Sequence, residues 1–128
     1  MVVKFNVKKD VLLGAVRKAA GSWIRTKEMA LSVKSDGQGN YKVCVQSNGL
    51  YVAGCTFPAA PVGAEGEITV VVSEMFLGAV NALASLDADE FSIEIKEDRV
   101  IVALGTGEVE VPVIKEPKTS FELPGMYP

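Results

Sequence analysis

The side chains able to do covalent or acid-base chemistry are few in this chain and poorly spaced for it. None of the 128 residues is a histidine. Neither Cys44 nor Cys55 therefore has the imidazole base a thiol nucleophile wants, and the two cysteines stand at no metal-ligand spacing. Between them, Ser47-Asn48-Gly49-Leu50 reads as a hairpin with Asn48-Gly49 at its tip. That register sets Cys44 opposite Ala53 and Cys55 opposite Lys42, leaving the thiols as same-face diagonal neighbours about 7–8 Å apart by backbone position. The separation is too long for an unstrained bridge, so both are expected to be reduced, as in a cytoplasmic protein. Asp36-Gly37-Gln38-Gly39-Asn40 holds two glycines but precedes a strand, which makes it a turn and not a phosphate cradle. Asp87, Asp89 and Glu90 read as a solvated acidic loop. No enzyme, no metal site and no cofactor is expected from this inventory.

What remains is positive charge. The chain carries 13 Lys and Arg residues against 16 Asp and Glu, a net charge of −3. Any attraction for a polyanion must then come from local arrangement, not from the overall field. Arg17 and Lys18 fall on the outer face and flank of a predicted helix, Arg25 and Lys27 in the loop after it, and Lys8 and Lys9 at its entrance. The same residues also fit solvated charges on an amphipathic helix.

These cations are positioned by a plain order of elements. Val3, Phe5 and Val7 alternate with polar neighbours as in a half-buried strand. Asp10 opens a helix to about Ala20, with Leu12, Ala15, Val16 and Ala19 on one face and Asp10, Gly14 and Arg17 opposite. Gly21 stops it, and Ser22 to Lys27, including Trp23 as a cover for the core, form a loop. Three strands follow, carried by Met29-Leu31-Val33, by Tyr41-Val43-Val45 and by Leu50 to Phe57. Residues 58–65, led by Pro58-Ala59-Ala60-Pro61, break the pattern as a connector.

The plan then repeats. Ile68 to Val72 is a strand, Ser73 an N-cap, and a helix to Ala84 buries Phe76, Ala79, Val80 and Leu83 while Glu74, Gly78, Asn81 and Ala82 face outward. Strands follow at Phe91-Ile93-Ile95, Val100-Val102-Leu104 and Val109-Val111-Val113, the last confined by Pro112 to an edge or to a register that turns its nitrogen away from a partner. Leu12-Leu13-Gly14-Ala15-Val16 returns as Phe76-Leu77-Gly78-Ala79-Val80, so one unit is used twice. Repeat one covers about 2–57, repeat two about 66–115, together a single domain over 1–115 with an extended proline-containing tail at 116–128. The expected fold class is α+β, with two helices packed on antiparallel sheets.

Lys4-Phe5-Asn6-Val7 followed by Leu12-Leu13, the Ser47 to Leu50 hairpin, the Val71 to Val80 repeat and the closing Phe121-Glu122-Leu123-Pro124 together resemble one domain of the bacterial DNA polymerase III beta subunit, the DNA sliding clamp. The resemblance covers nearly the whole chain, to about Ile114, and lies in order and spacing more than in any signature. It implies a clamp fold whose helices line a central hole, six such domains closing around duplex DNA bound without regard to sequence. It implies contacts between copies of the chain through edge strands at Leu50 to Thr56 and Glu108 to Ile114. DNA polymerase and a clamp loader are the implied protein partners, and a cytoplasmic, non-membrane setting is the default. Arg17, Lys18, Arg25, Lys27 and Lys9 become the candidate DNA-binding residues, with Lys8 beside them. One departure is plain: Ser73 to Ser85 contains no Lys or Arg, where the family's second helix usually adds basic residues. A clamp-fold oligomeric interaction module that does not encircle DNA is the alternative.

Overall fold

The computed structural model of the protein describes residues 2–21, 27–48, 52–63 and 66–117. Along them run β1 (Val3–Lys8), α1 (Lys9–Ala20), β2 (Glu28–Ser35), β3 (Tyr41–Asn48), β4 (Val52–Pro61), β5 (Ile68–Ser73), α2 (Met75–Leu83), β6 (Glu90–Ile95), β7 (Arg99–Leu104) and β8 (Gly107–Pro112). The strand-helix-strand-strand-strand plan is thus present twice, in an α+β fold.

The two repeats exchange their first strands. Strand order is β5-β2-β3-β4-β1-β6-β7-β8, so β1 joins the strands of repeat two through β6, and β5 joins those of repeat one through β2, all antiparallel. Each helix follows its strand almost without a loop and turns back onto the other strands of its own repeat, α1 onto β3 and β4 and α2 onto β7 and β8. At the far rim Val72 bridges Val113, and the Ile114 N–H donates to the Val71 carbonyl at 2.8 Å. The array is therefore tied back onto itself.

Alternation decides which side of the strands is apolar. Phe5, Leu31, Val43, Ile93 and Val102 meet the helix stripes Leu12-Ala15-Val16-Ala19 and Phe76-Ala79-Val80-Leu83 in one buried cluster. Both helix stripes are the expected ones. The Phe5 and Tyr41 rings meet edge to face with centroids 6.4 Å apart, an arrangement favoured by the ring quadrupoles. The Tyr41 hydroxyl accepts the Gly66 N–H at 3.0 Å, which gives its one polar atom a partner.

Three details differ from the reading of the sequence. Asn48 pairs with Val52, so the β3–β4 connection is residues 49–51 and not a two-residue Asn48-Gly49 turn. Cys44 consequently lies opposite Thr56, and Cys55 opposite Val45, so the expected same-face diagonal relation of the two cysteines does not hold. Next, β4 continues through Pro58 to Pro61, where a connector was expected. The Val62 N–H donates to the Lys4 carbonyl, on the β1 side. By alternation the Pro58 nitrogen points to that edge as well, beyond the two positions that β1 occupies, while Pro61 lies past the first residue of β3. Neither proline removes a ladder bond. Last, β2 and β3 are buried on both faces: Ala30, Ser32, Cys44 and Gln46 are inaccessible on the side away from the main cluster.

Pro112 behaves as expected. The Val113 N–H donates to the Asp98 carbonyl at 3.0 Å, so the neighbouring Pro112 nitrogen faces away from β7, to the side on which Ile114 meets β5. From Lys118 the tail lies outside the described residues, as does the Ser22 to Thr26 part of the loop.

Candidate nucleic-acid interface

With their apolar stripes committed to the core, α1 and α2 have only their outer faces to offer. On α1 these are Asp10, Val11, Gly14, Arg17 and Lys18, and on α2 Met75, Gly78, Asn81 and Ala82, all exposed, with Glu74 just ahead of the helix. Arg17 Nε and Nη2 both donate to Asn81 Oδ1, at 3.1 and 3.0 Å. Leu12 matches Phe76 in the repeat, so by the same step Arg17 matches Asn81 and Gly14 matches Gly78. Two equivalent positions that touch must flank the local two-fold axis relating the repeats. The axis therefore emerges between Arg17 and Asn81.

The floor around this pair is smooth. A Cβ added at Gly14 or at Gly78 would meet nothing within 4 Å, so neither glycine serves packing against the rest of the chain. Val11 and Met75, equivalent to one another, are 40% and 52% exposed, which shows that nothing described lies over this face.

The candidate cations do not share one fate. Arg17 sits at the axis, and Lys18 beside it is exposed with no ion-pair partner among the described residues. Lys27 reaches Glu74 at 3.2 Å, an exposed pair of the kind worth ~0–1 kcal/mol, so its charge is locally compensated. Arg25 and Trp23 lie outside the described residues.

Lys9 is spent on the protein itself. Its Nζ donates to the carbonyls of Ala84 and Leu86, at 3.2 and 3.1 Å, at the C-terminal end of α2. A cation there satisfies the Ala84 carbonyl at the helix C-cap, joins the Ala88 N–H on the Leu86 carbonyl and complements the negative end of the helix. The matching end of α1 is capped differently, by the Ser47 hydroxyl donating to the Ala19 carbonyl. Lys9→Met should then cost about 1–3 kcal/mol, because the Ala84 carbonyl loses this part-buried donor while that of Leu86 keeps only the Ala88 N–H. A urea denaturation midpoint measures that loss, and an unchanged midpoint would mean that the cap contributes nothing. Lys8 is exposed and lines, with Lys9, Asp10, Asp89 and Glu90, a cleft of about 300 Å³ whose acids offset its cations.

No group of three or more His, Cys, Asp or Glu able to hold a metal occurs among the described residues. No helix among them is long and apolar enough to cross a membrane. What the paired helices offer is a shallow exposed surface with a guanidinium at its centre, suited to an extended anion more than to a small enclosed ligand.

Sequence reasoning missed Asn81 as the partner of Arg17. The signal was present, since the two occupy the same position of the repeat, but only the packing of one helix beside the other joins them.

No family model matches the chain, and no curated protein matches it by sequence. Solved structures do. The Caulobacter crescentus beta sliding clamp superposes with a TM-score of 0.70 at 15% identity, over 93% of this chain and 32% of that one. The DNA polymerase III beta subunit of Pseudomonas aeruginosa gives 0.65 at 16% identity, over 91% and 32%. That of Thermotoga maritima gives 0.63 at 15%, over 92% and 32%. The protein thus has the fold of a beta sliding clamp domain, and it spans about a third of the length of the clamps it matches.

Proposed function

We propose that this chain serves as a domain of a DNA sliding clamp, taking part in a ring around duplex DNA and tethering replication proteins without chemistry of its own. The observation that carries the reading is the exposed face shared by α1 and α2 across the repeat axis, with Arg17 at its centre and Lys18 beside it. Such a face attracts phosphates through the charges of Arg17 and Lys18. Phosphate contacts are blind to sequence, whereas base-edge contacts would pin the protein in place.

Closure of a ring needs edges that are free to pair. Among the described residues β8 is the last strand in the order, and the chain meets β5 just past its end, at Val113 and Ile114. Among those residues β4 pairs with no strand on the side opposite β3 except where Ala60 and Pro61 meet β1. An edge of one domain against a different edge of the next is a head-to-tail contact, which forms a ring only when the rotation closes. Copies of this chain, or further domains, would complete it. DNA polymerase and a clamp loader are the partners that such a ring would serve.

Because α2 has no Lys or Arg and Lys27 is paired with Glu74, few phosphates are contacted per domain. That same observation favours a second reading, a clamp-fold interaction module that oligomerises without encircling DNA. Fluorescence titration of duplexes of unrelated sequence decides between them. The clamp reading expects equal affinities and a plot of log K against log salt with a slope of about −2 or steeper, roughly −0.9 for each phosphate met by Arg17 and Lys18. An absence of salt-dependent association would leave the interaction module.

A further inference from the structure

We infer that Arg17 and Asn81 form a single phosphate-binding unit, in which Asn81 positions the guanidinium and adds amide donors of its own; the inference rests on the duplex-binding reading above. Each repeat supplies one half of the unit. Arginine is a donor only, so the oxygen of the Asn81 amide has to be the end that faces it. Two N–H groups of the guanidinium, one on Nε and one on Nη2, are spent on that oxygen. The other three are left on an exposed side chain. The Asn81 Nδ2 has no partner among the described residues, so its two hydrogens are uncommitted as well. Every donor that remains available is of the kind an oxyanion takes.

The arrangement also answers a shortage. With α2 devoid of cations, the surface depends on a few positive side chains, and a free arginine would have to give up its rotamer freedom each time an anion arrives. Asn81 holds Arg17 across the two helices beforehand, so that ordering is already done. The planar fork then matches two oxygens of a phosphodiester, a geometry that lysine lacks. The open space over Gly14 and Gly78 lets a nucleic-acid backbone approach the helices closely. Asn81 is thus a positioning residue as well as a neutral donor, and its substitution acts on affinity in a way that depends on Arg17.

The test uses the full chain and a mixed-sequence DNA duplex over a range of salt. Asn81→Ala should weaken binding several-fold with the salt slope unchanged, because the charge stays while its restraint and the amide donors go. Asn81→Asp should weaken it further and flatten the slope by roughly 0.9, because a carboxylate beside Arg17 cancels one phosphate-neutralising charge. In an Arg17→Ala background, Asn81→Ala should lose less than it does beside Arg17. In the DNA-free protein, the Arg17 Nε–H proton should exchange with water several-fold faster once Asn81 is Ala. Asn81 is exposed, so the unfolding midpoint should stay where it is, and a merely structural role would not move the salt slope. Binding by Asn81→Ala as tight as by the unaltered chain, or an equal loss with and without Arg17, overturns the inference while leaving the duplex reading intact. An unaltered chain that shows no salt-dependent duplex binding overturns both.

Discussion

Phe5→Ala is expected to cost about 3–5 kcal/mol, the range for truncating a buried aromatic, against a total stability of roughly 5–15 kcal/mol for a domain. Phe5 is 2% exposed and lies on β1, the strand that crosses from repeat one into the sheet of repeat two. It pairs with Ile93 on one side and Pro61 on the other, and its ring meets the edge of Tyr41. Removing the ring takes away both the buried area and the aromatic contact. The strands around the void are held by ladders on either side, so the site has little freedom to collapse. A fall in the denaturation midpoint with an unchanged m-value is the expected result. A loss below about 1 kcal/mol, no more than an average point substitution costs, would mean that the junction between the sheets is not packed as described.

Arg17→Glu combined with Lys18→Glu should nearly abolish association with duplex DNA. Both side chains are exposed on the outward face of α1, so stability should stay within about 0.5 kcal/mol. Each charge-assisted contact to a phosphate is worth about 1.5–3 kcal/mol, and 1.4 kcal/mol is a factor of ten. Loss of the pair therefore weakens binding on the order of 100-fold or more, before the repulsion from the new carboxylates is added. The slope of log K against log salt should fall by about 2, one unit for each phosphate no longer neutralised. Undiminished binding would remove this face from the path of the nucleic acid.

Much of the fold was legible because it rests on short-range periodicity. Leu12-Ala15-Val16-Ala19 and Phe76-Ala79-Val80-Leu83 recur at helical spacing, and Val3-Phe5-Val7 or Phe91-Ile93-Ile95 at strand spacing, whatever the rest of the chain does. The duplication was visible in the same way. What stayed hidden depends on partners distant in sequence. The register of β3 on β4 was misread because Asn48-Gly49 is a strong hairpin signal, yet Asn48 itself pairs within the ladder, opposite Val52. The length of β4 was missed because prolines usually end a strand, and only an edge without a neighbour makes them harmless.

The site was legible in part. Arg17 and Lys18 could be put on an outward face from their helical positions alone. Lys9 could not be told from them, since only the end of α2, reached from far along the chain, reveals where its ammonium goes. Burial of Ala30, Ser32, Cys44 and Gln46 was equally invisible, because alternation along one strand says which positions share a side but not whether both sides are covered.

The exchange of β1 and β5 means that neither half of the chain is self-sufficient. A half-length version would leave a gap in its own sheet beside an orphaned strand, and could fill that gap only by recruiting a second molecule. Its folding would then be bimolecular and would weaken on dilution. Joining the halves through residues 62–67 makes the encounter intramolecular, so the joined protein keeps its shape at any dilution.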